Sequence, residues 1–124
     1  MPFAYWCVLI AALLPTVWVL YAKRGSGDNH NPRAGIDQLP PPKRRAYGAH
    51  LNALESFPFF AAAVIIALQL GAPVATVNWL AGLYVLIRII HGLLYVTDQA
   101  SLRSLSYLAG FLVNVAIFVL PAFR

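Results

Sequence analysis

Apolar residues run almost unbroken from Phe3 to Tyr21, from about Ala46 to Leu70, from about Val74 to Val96 and from about Leu102 to Phe123. Each run is about 20 residues long, the length a helix needs to cross the hydrocarbon core of a bilayer. A helix also satisfies its own backbone polar groups, as lipid requires. The pattern therefore predicts an all-α chain, an integral membrane four-helix bundle. It forms one domain over residues 1–124, with helices at about 3–22, 46–70, 74–96 and 102–123 and a hydrophilic loop at 23–45. Pro15 is expected inside the first helix, where neighbouring helices can satisfy the carbonyl it frees. A secretory signal is the alternative for that segment, but nothing positive precedes Phe3 and no small-x-small cleavage site follows.

Composition agrees with this pattern. Of the 124 residues, 60% are hydrophobic and 10% charged, against roughly 25% charged in soluble domains. Six of the nine Lys and Arg residues (Lys23, Arg24, Arg33, Lys43, Arg44 and Arg45) lie in the first loop, and the loop between spans two and three has none. The positive-inside rule then puts loop 23–45 in the cytoplasm and both termini on the opposite side. Aromatic residues fit the same orientation, with Trp6, Trp79 and Phe123 at the outer ends and Tyr21 and Tyr47 near the inner ones. The net charge of +5 is thus mostly a topology signal. The basic loop has no interleaved aromatics for base stacking, which argues against a nucleic-acid partner. Its Gly, Asn and Pro content, including Pro40 to Pro42, predicts an extended connector. The single cysteine, Cys7, reads as a buried thiol, and no Cys/His spacing suggests a metal.

Ionisable groups inside membrane spans are costly and usually face the bundle interior or a wet cavity, so they carry the functional argument. At about 100° per residue, Arg45, Asn52 and Glu55 fall within an arc of roughly 80° on the second helix, with His50 well off that stripe. Arg88, His91 and Tyr95 fall within roughly 60° on the third, and Arg103 and Tyr107, flanking Ser104, within about 40° on the fourth. All lie toward the cytoplasmic ends of their helices and can converge on one pocket. Two readings stand side by side. In one, Glu55 pairs with Arg88, while Asn52, His91 and Tyr95 hold helices together and Arg103 snorkels at a helix end. In the other, these groups form a binding site.

Two segments, RAYGAHLNALESFPFF and RIIHGLLYVTDQASLRSLSY, resemble the motifs of the membrane-associated proteins in eicosanoid and glutathione metabolism, the MAPEG family. RAYGAHLNALESFPFF is similar to its alanine-histidine-x-asparagine-x-x-glutamate run followed by phenylalanine-proline. RIIHGLLYVTDQASLRSLSY is similar to its arginine-x-x-histidine-x-x-x-tyrosine turn and following arginine-serine-x-x-tyrosine. With the four spans and the basic loop, the likeness covers nearly the whole chain. It implies a homotrimer that uses glutathione as co-substrate, bound between neighbouring subunits at the cytoplasmic side, with a lipophilic electrophile arriving from membrane lipid. By the same resemblance, Asn52, Glu55, His91, Tyr95, Ser104 and Tyr107 contact glutathione or shape its site. Arg103 falls on the arginine assigned to thiol activation, and Lys23 and Arg24 resemble a basic pair that helps hold the tripeptide. Arg88, Arg45 and His50 are expected in structural or site-supporting roles. The chain departs from the pattern at Gly48, where many members carry an arginine, and in a turn before Arg103 that is one residue shorter than in the prostaglandin E synthase branch.

The residue chemistry fits this expectation independently. Glutathione carries two carboxylates and an ammonium, so its site needs several cations and at least one acid. Arginine forks suit carboxylates where water is scarce, and a guanidinium beside a thiol lowers its pKa from about 8.5 toward neutrality. The expected activity is that of a glutathione S-transferase or glutathione peroxidase on lipophilic electrophiles or lipid hydroperoxides. The alternative is a non-catalytic binding or assembly protein of the same fold. A small transporter fits less well, because the polar groups cluster at one side of the membrane and not at its midplane.

Overall fold

A computed structural model describes residues 1–25 and 30–123. Four helices follow one another: α1 (Phe3–Lys23), α2 (Pro41–Gln69), α3 (Val74–Val96) and α4 (Ala100–Val119). Short 3-10 turns lie at Ile36–Gln38 and Leu120–Phe123, and there are no strands among the described residues. All four helices are long and apolar enough to cross a membrane. Their outer faces carry exposed Leu9, Leu13 and Val17 on α1, Leu86 and Leu93 on α3, and Leu108 and Leu112 on α4. Such surfaces are at home against lipid tails.

Helix α2 begins at Pro41, five residues earlier than the expected start at about Ala46. Pro41 and Pro42 occupy the first turn of α2, where a helix has no partner for an amide hydrogen and a fixed φ is an advantage. At 29 residues, α2 is about 43 Å long, well over the hydrocarbon thickness of about 30 Å. Its basic first turns therefore extend beyond the apolar layer.

Helix ends are closed by neighbours as well as by turns. The Ala4 amide of α1 donates to Asn78 Oδ1 of α3 at 2.9 Å, which satisfies one of the free donors at a helix start. α2 and α3 end in the same motif. Gly71 (φ 78) and Asp98 (φ 62) take the left-handed conformation, and the next residues, Ala72 and Gln99, donate back to the Ala67 and Leu94 carbonyls at 2.9 Å. This is the Schellman arrangement, with aspartate doing at α3 what glycine does at α2.

Small residues set the packing. Ala4, Cys7 and Ala11 of α1, Ala63 and Ala67 of α2 and Ala81 of α3 are buried in one cluster, and small side chains let helices approach closely where lipid supplies no hydrophobic drive. Phe60 and Tyr84 stack in that cluster, centroids 4.1 Å apart and 18° from parallel. Gly92 is a point of close approach: a methyl group there would run into the Trp18 indole. Pro15 is buried inside α1, and α2 does reach this segment, but at the proline's own carbonyl: His50 Nδ1 donates to Pro15 O at 2.8 Å.

Candidate functional site: a polar pocket at the ends of three helices

Asn52 of α2, His91 and Tyr95 of α3, and Arg103, Ser104 and Tyr107 of α4 line one pocket of about 270 Å³. The three-residue turn between α3 and α4 delivers this geometry, since it reverses the chain within one turn of Tyr95 and begins α4 with Arg103 in its first turn. Arg103 lies with its guanidinium 4.7 Å from the Tyr95 ring centroid, a cation–π arrangement. Tyr95 in turn stands edge-on to His91, centroids 5.8 Å apart. His91 is 2% exposed, and its Nδ1 has no hydrogen-bond partner among the described residues. A buried polar atom left in this way costs roughly 1–3 kcal/mol.

Beneath this pocket, Arg88 is 5% exposed and donates through Nη2 to Asn52 Oδ1 at 2.7 Å. Ser56 Oγ donates to the same oxygen at 3.4 Å. The Glu55–Arg88 pair that spacing allows is therefore replaced by Asn52–Arg88. Glu55 is exposed and lines a second pocket of about 180 Å³ with Arg88, Tyr84 and Asn114. Tyr107 borders both pockets.

Other candidates lie elsewhere. Arg45 donates from Nε to the Val96 carbonyl at 3.0 Å, closing the end of α3, where cations and donors are favoured. His50 ties α2 to α1 through Pro15. Lys23 donates to the Pro32 carbonyl and stands 6.0 Å from the Tyr47 centroid, while Arg24 is exposed at the end of α1. Neither is among the residues lining the pocket.

Asn114 and Tyr84 were not among the expected site residues. Asn114 is 3% exposed, with Oδ1 unpartnered among the described residues. A signal was available: Asn114 follows Tyr107 by seven residues and Arg103 by eleven, so the three share one face of α4. Tyr84 precedes Arg88 by four and extends the polar face of α3 in the same way. Among the described residues, no group of three or more His, Cys, Asp or Glu is placed to hold a metal ion.

A bundle of four helices long and apolar enough to span a membrane, with a polar pocket at the ends of α2, α3 and α4, is a multi-pass integral membrane protein. The MAPEG family signature matches residues 3–123, and the chain belongs to that family. No curated protein and no solved structure matched it.

Proposed function

We propose that this protein is a membrane-bound glutathione-dependent transferase or peroxidase acting on lipophilic electrophiles or lipid hydroperoxides, with Arg103 stabilising the glutathione thiolate. The observation that carries the reading is the convergence of six polar side chains from three apolar helices on one pocket around Arg103. A bilayer-embedded chain tolerates such a group where it meets a polar ligand or a wet cavity. Family membership over residues 3–123 supports the same reading.

In this account the thiolate lies beside the Arg103 guanidinium, with Ser104 and Tyr107 as hydroxyl donors. The Asn52 oxygen is taken up by Arg88 and Ser56, so its amide group is the part that donates to the tripeptide. Glu55, at the rim of the adjoining pocket, receives the γ-glutamyl ammonium. In conjugation the thiolate attacks an electrophilic carbon and the leaving group departs with its electron pair. With a hydroperoxide, sulfur attacks the distal oxygen and the O–O bond breaks. The alkoxide takes up a proton, and a second glutathione converts the sulfenic acid to disulfide and water.

The pocket draws its walls from α2, α3 and α4, and Ser104 and Tyr107 are exposed on its α4 side. A homotrimer in which a neighbouring copy covers that side, bringing its own Lys23 and Arg24, completes the cation set. The whole chain acts as one domain, with loop 23–45 and the glutathione route on the cytoplasmic side. Labelling of a cysteine placed at Asp37 by a membrane-impermeant reagent from outside intact cells would contradict that orientation.

The alternative reading is a non-catalytic binding or assembly protein. It is favoured by the mutual satisfaction of Arg88 with Asn52 and of Arg103 with Tyr95, contacts that also serve as glue between helices. Conjugation of glutathione to a model aryl halide by the purified trimer separates the two. Turnover supports catalysis, and tight glutathione binding by intact trimers without turnover supports the alternative.

A further inference from the structure

Gly48 lies on α2, outside the set of side chains that line the pocket, and it has no side chain to offer chemistry. Its neighbourhood is nevertheless specific. A methyl group on its α-carbon would meet the Tyr95 hydroxyl oxygen at 2.5 Å and the ring carbons Cζ and Cε1 at 2.7 and 2.9 Å, closer than carbon atoms pack without something moving. The Tyr95 ring thus lies in a notch that only glycine leaves open. The other neighbours of that ring belong to the pocket: Arg103 stands 4.7 Å from the centroid and His91 meets it edge-on. One turn before Gly48, Arg45 is bonded to the Val96 carbonyl beside Tyr95, which holds this stretch of α2 against the end of α3.

We infer that Gly48 is a positioning residue: its notch seats the Tyr95 ring against α2, and the seated ring fixes where the Arg103 guanidinium stands in the pocket. The link rests on the proposed glutathione reading for its functional meaning, but not for its geometry. A long arginine side chain near a helix start has many rotamers, and ordering one costs side-chain entropy. A ring face already in place selects among those rotamers before a ligand arrives. Any side chain at 48 moves the ring, and the guanidinium loses its rest.

The test reads the geometry directly. In protein carrying isotope-labelled arginine, the Arg103 side-chain resonances, assigned by their loss in Arg103→Leu, are expected to be displaced upfield by the ring current of Tyr95. Gly48→Ala should return them toward ordinary arginine positions, and Tyr95→Leu should do the same. Tyr95→Phe, which keeps the ring and removes the hydroxyl, should retain the displacement. Turnover in Gly48→Ala is expected to fall by about 2- to 30-fold, the range a cation–π contact commands between exposed and desolvated settings, with the larger change in kcat than in KM.

Unchanged Arg103 resonances in Gly48→Ala or in Tyr95→Leu overturn the inference. If Gly48→Ala folds poorly, the double variant Gly48→Ala/Tyr95→Phe, which removes the nearest atom the methyl would meet but keeps the ring, carries the test. Arg103 signals there that return toward ordinary arginine positions uphold the link, and signals that match Tyr95→Phe alone overturn it. The two proposals fail separately. Wild-type protein with the resonance pattern intact but no conjugation and no thiolate would refute the glutathione reading alone. A thiolate with Arg103 signals insensitive to Gly48→Ala would refute the positioning link alone.

Discussion

The two halves of the bundle are built on opposite rules. The half around Ala63, Ala67, Ala81 and the stacked Phe60–Tyr84 pair closes on itself through small and aromatic side chains. The half around Asn52, His91 and Arg103 brings polar groups together and leaves some of their capacity unspent, as at His91 Nδ1. Tyr84 sits on the boundary, stacked on Phe60 on one side and lining the Asn114 pocket on the other. The difference sets a closed, stabilising half against a half whose polar groups the proposed chemistry would use, with Asn52, bonded to Arg88, serving both. Substitutions in the closed half should cost stability, and those in the open half should cost binding or rate.

The largest stability effect is expected from Phe60→Ala. Phe60 is fully buried, and removing its ring should cost about 3 kcal/mol, the low end for a buried aromatic, because lipid gives the helices no hydrophobic drive. Denaturation in detergent measures the loss, and calorimetry of the folded variant should show nearly unchanged glutathione affinity. An affinity loss equal to that of a pocket variant would erase the division between the halves.

Asn52→Leu should act on both quantities, because Asn52 holds Arg88 and lines the pocket. Removing the partner of a buried guanidinium is expected to cost about 2 kcal/mol of stability, as for hydrogen bonds to charged groups, with a clear loss of glutathione binding. Glu55→Gln should weaken glutathione binding several-fold and change stability by no more than about 0.5 kcal/mol, since the residue is exposed. A large stability loss with unchanged binding would move Glu55 out of the site and return it to a structural role.

The smallest effect is expected at the turn that sets the start of α4. Asp98 takes a left-handed conformation with φ 62, which glycine adopts without the clash a Cβ brings. The gain in Asp98→Gly is opposed by the greater freedom of glycine in the unfolded chain, so a net change of only a few tenths of a kcal/mol is predicted, read as a small shift of Tm. A large destabilisation would show that the Asp98 side chain, and not only its backbone, holds the turn.

The four spans were legible because length and hydropathy are one-dimensional properties, and Val74–Val96 can be read almost residue by residue. The start of α2 was not: three successive prolines speak against helix everywhere except in a first turn, and Pro41 and Pro42 stand in that turn. Spacing also put Arg88, His91 and Tyr95 on one face, because helical period alone decides that. Which residue faces Arg88 depends on how α2 is rotated against α3. Asn52 and Glu55 are three residues apart on the same face, and only the packing distinguishes them. Gly48 shows the limit most plainly, since its contribution is a space, and a space is visible only once Tyr95 fills it.

The central claim is that Arg103 stabilises the thiolate of bound glutathione, and ultraviolet difference absorbance tests it most directly, since thiolate absorbs where thiol does not. Protein mixed with glutathione at neutral pH should show the thiolate band, although the free thiol ionises only near a pH of about 8.5. Arg103→Leu should bind glutathione somewhat less tightly, lose most turnover and show the band only as pH approaches that value. Arg103→Lys should keep part of the effect, as a point charge without the guanidinium fork. The account is contradicted if wild-type protein binds glutathione without the band, or if the leucine variant keeps both band and turnover.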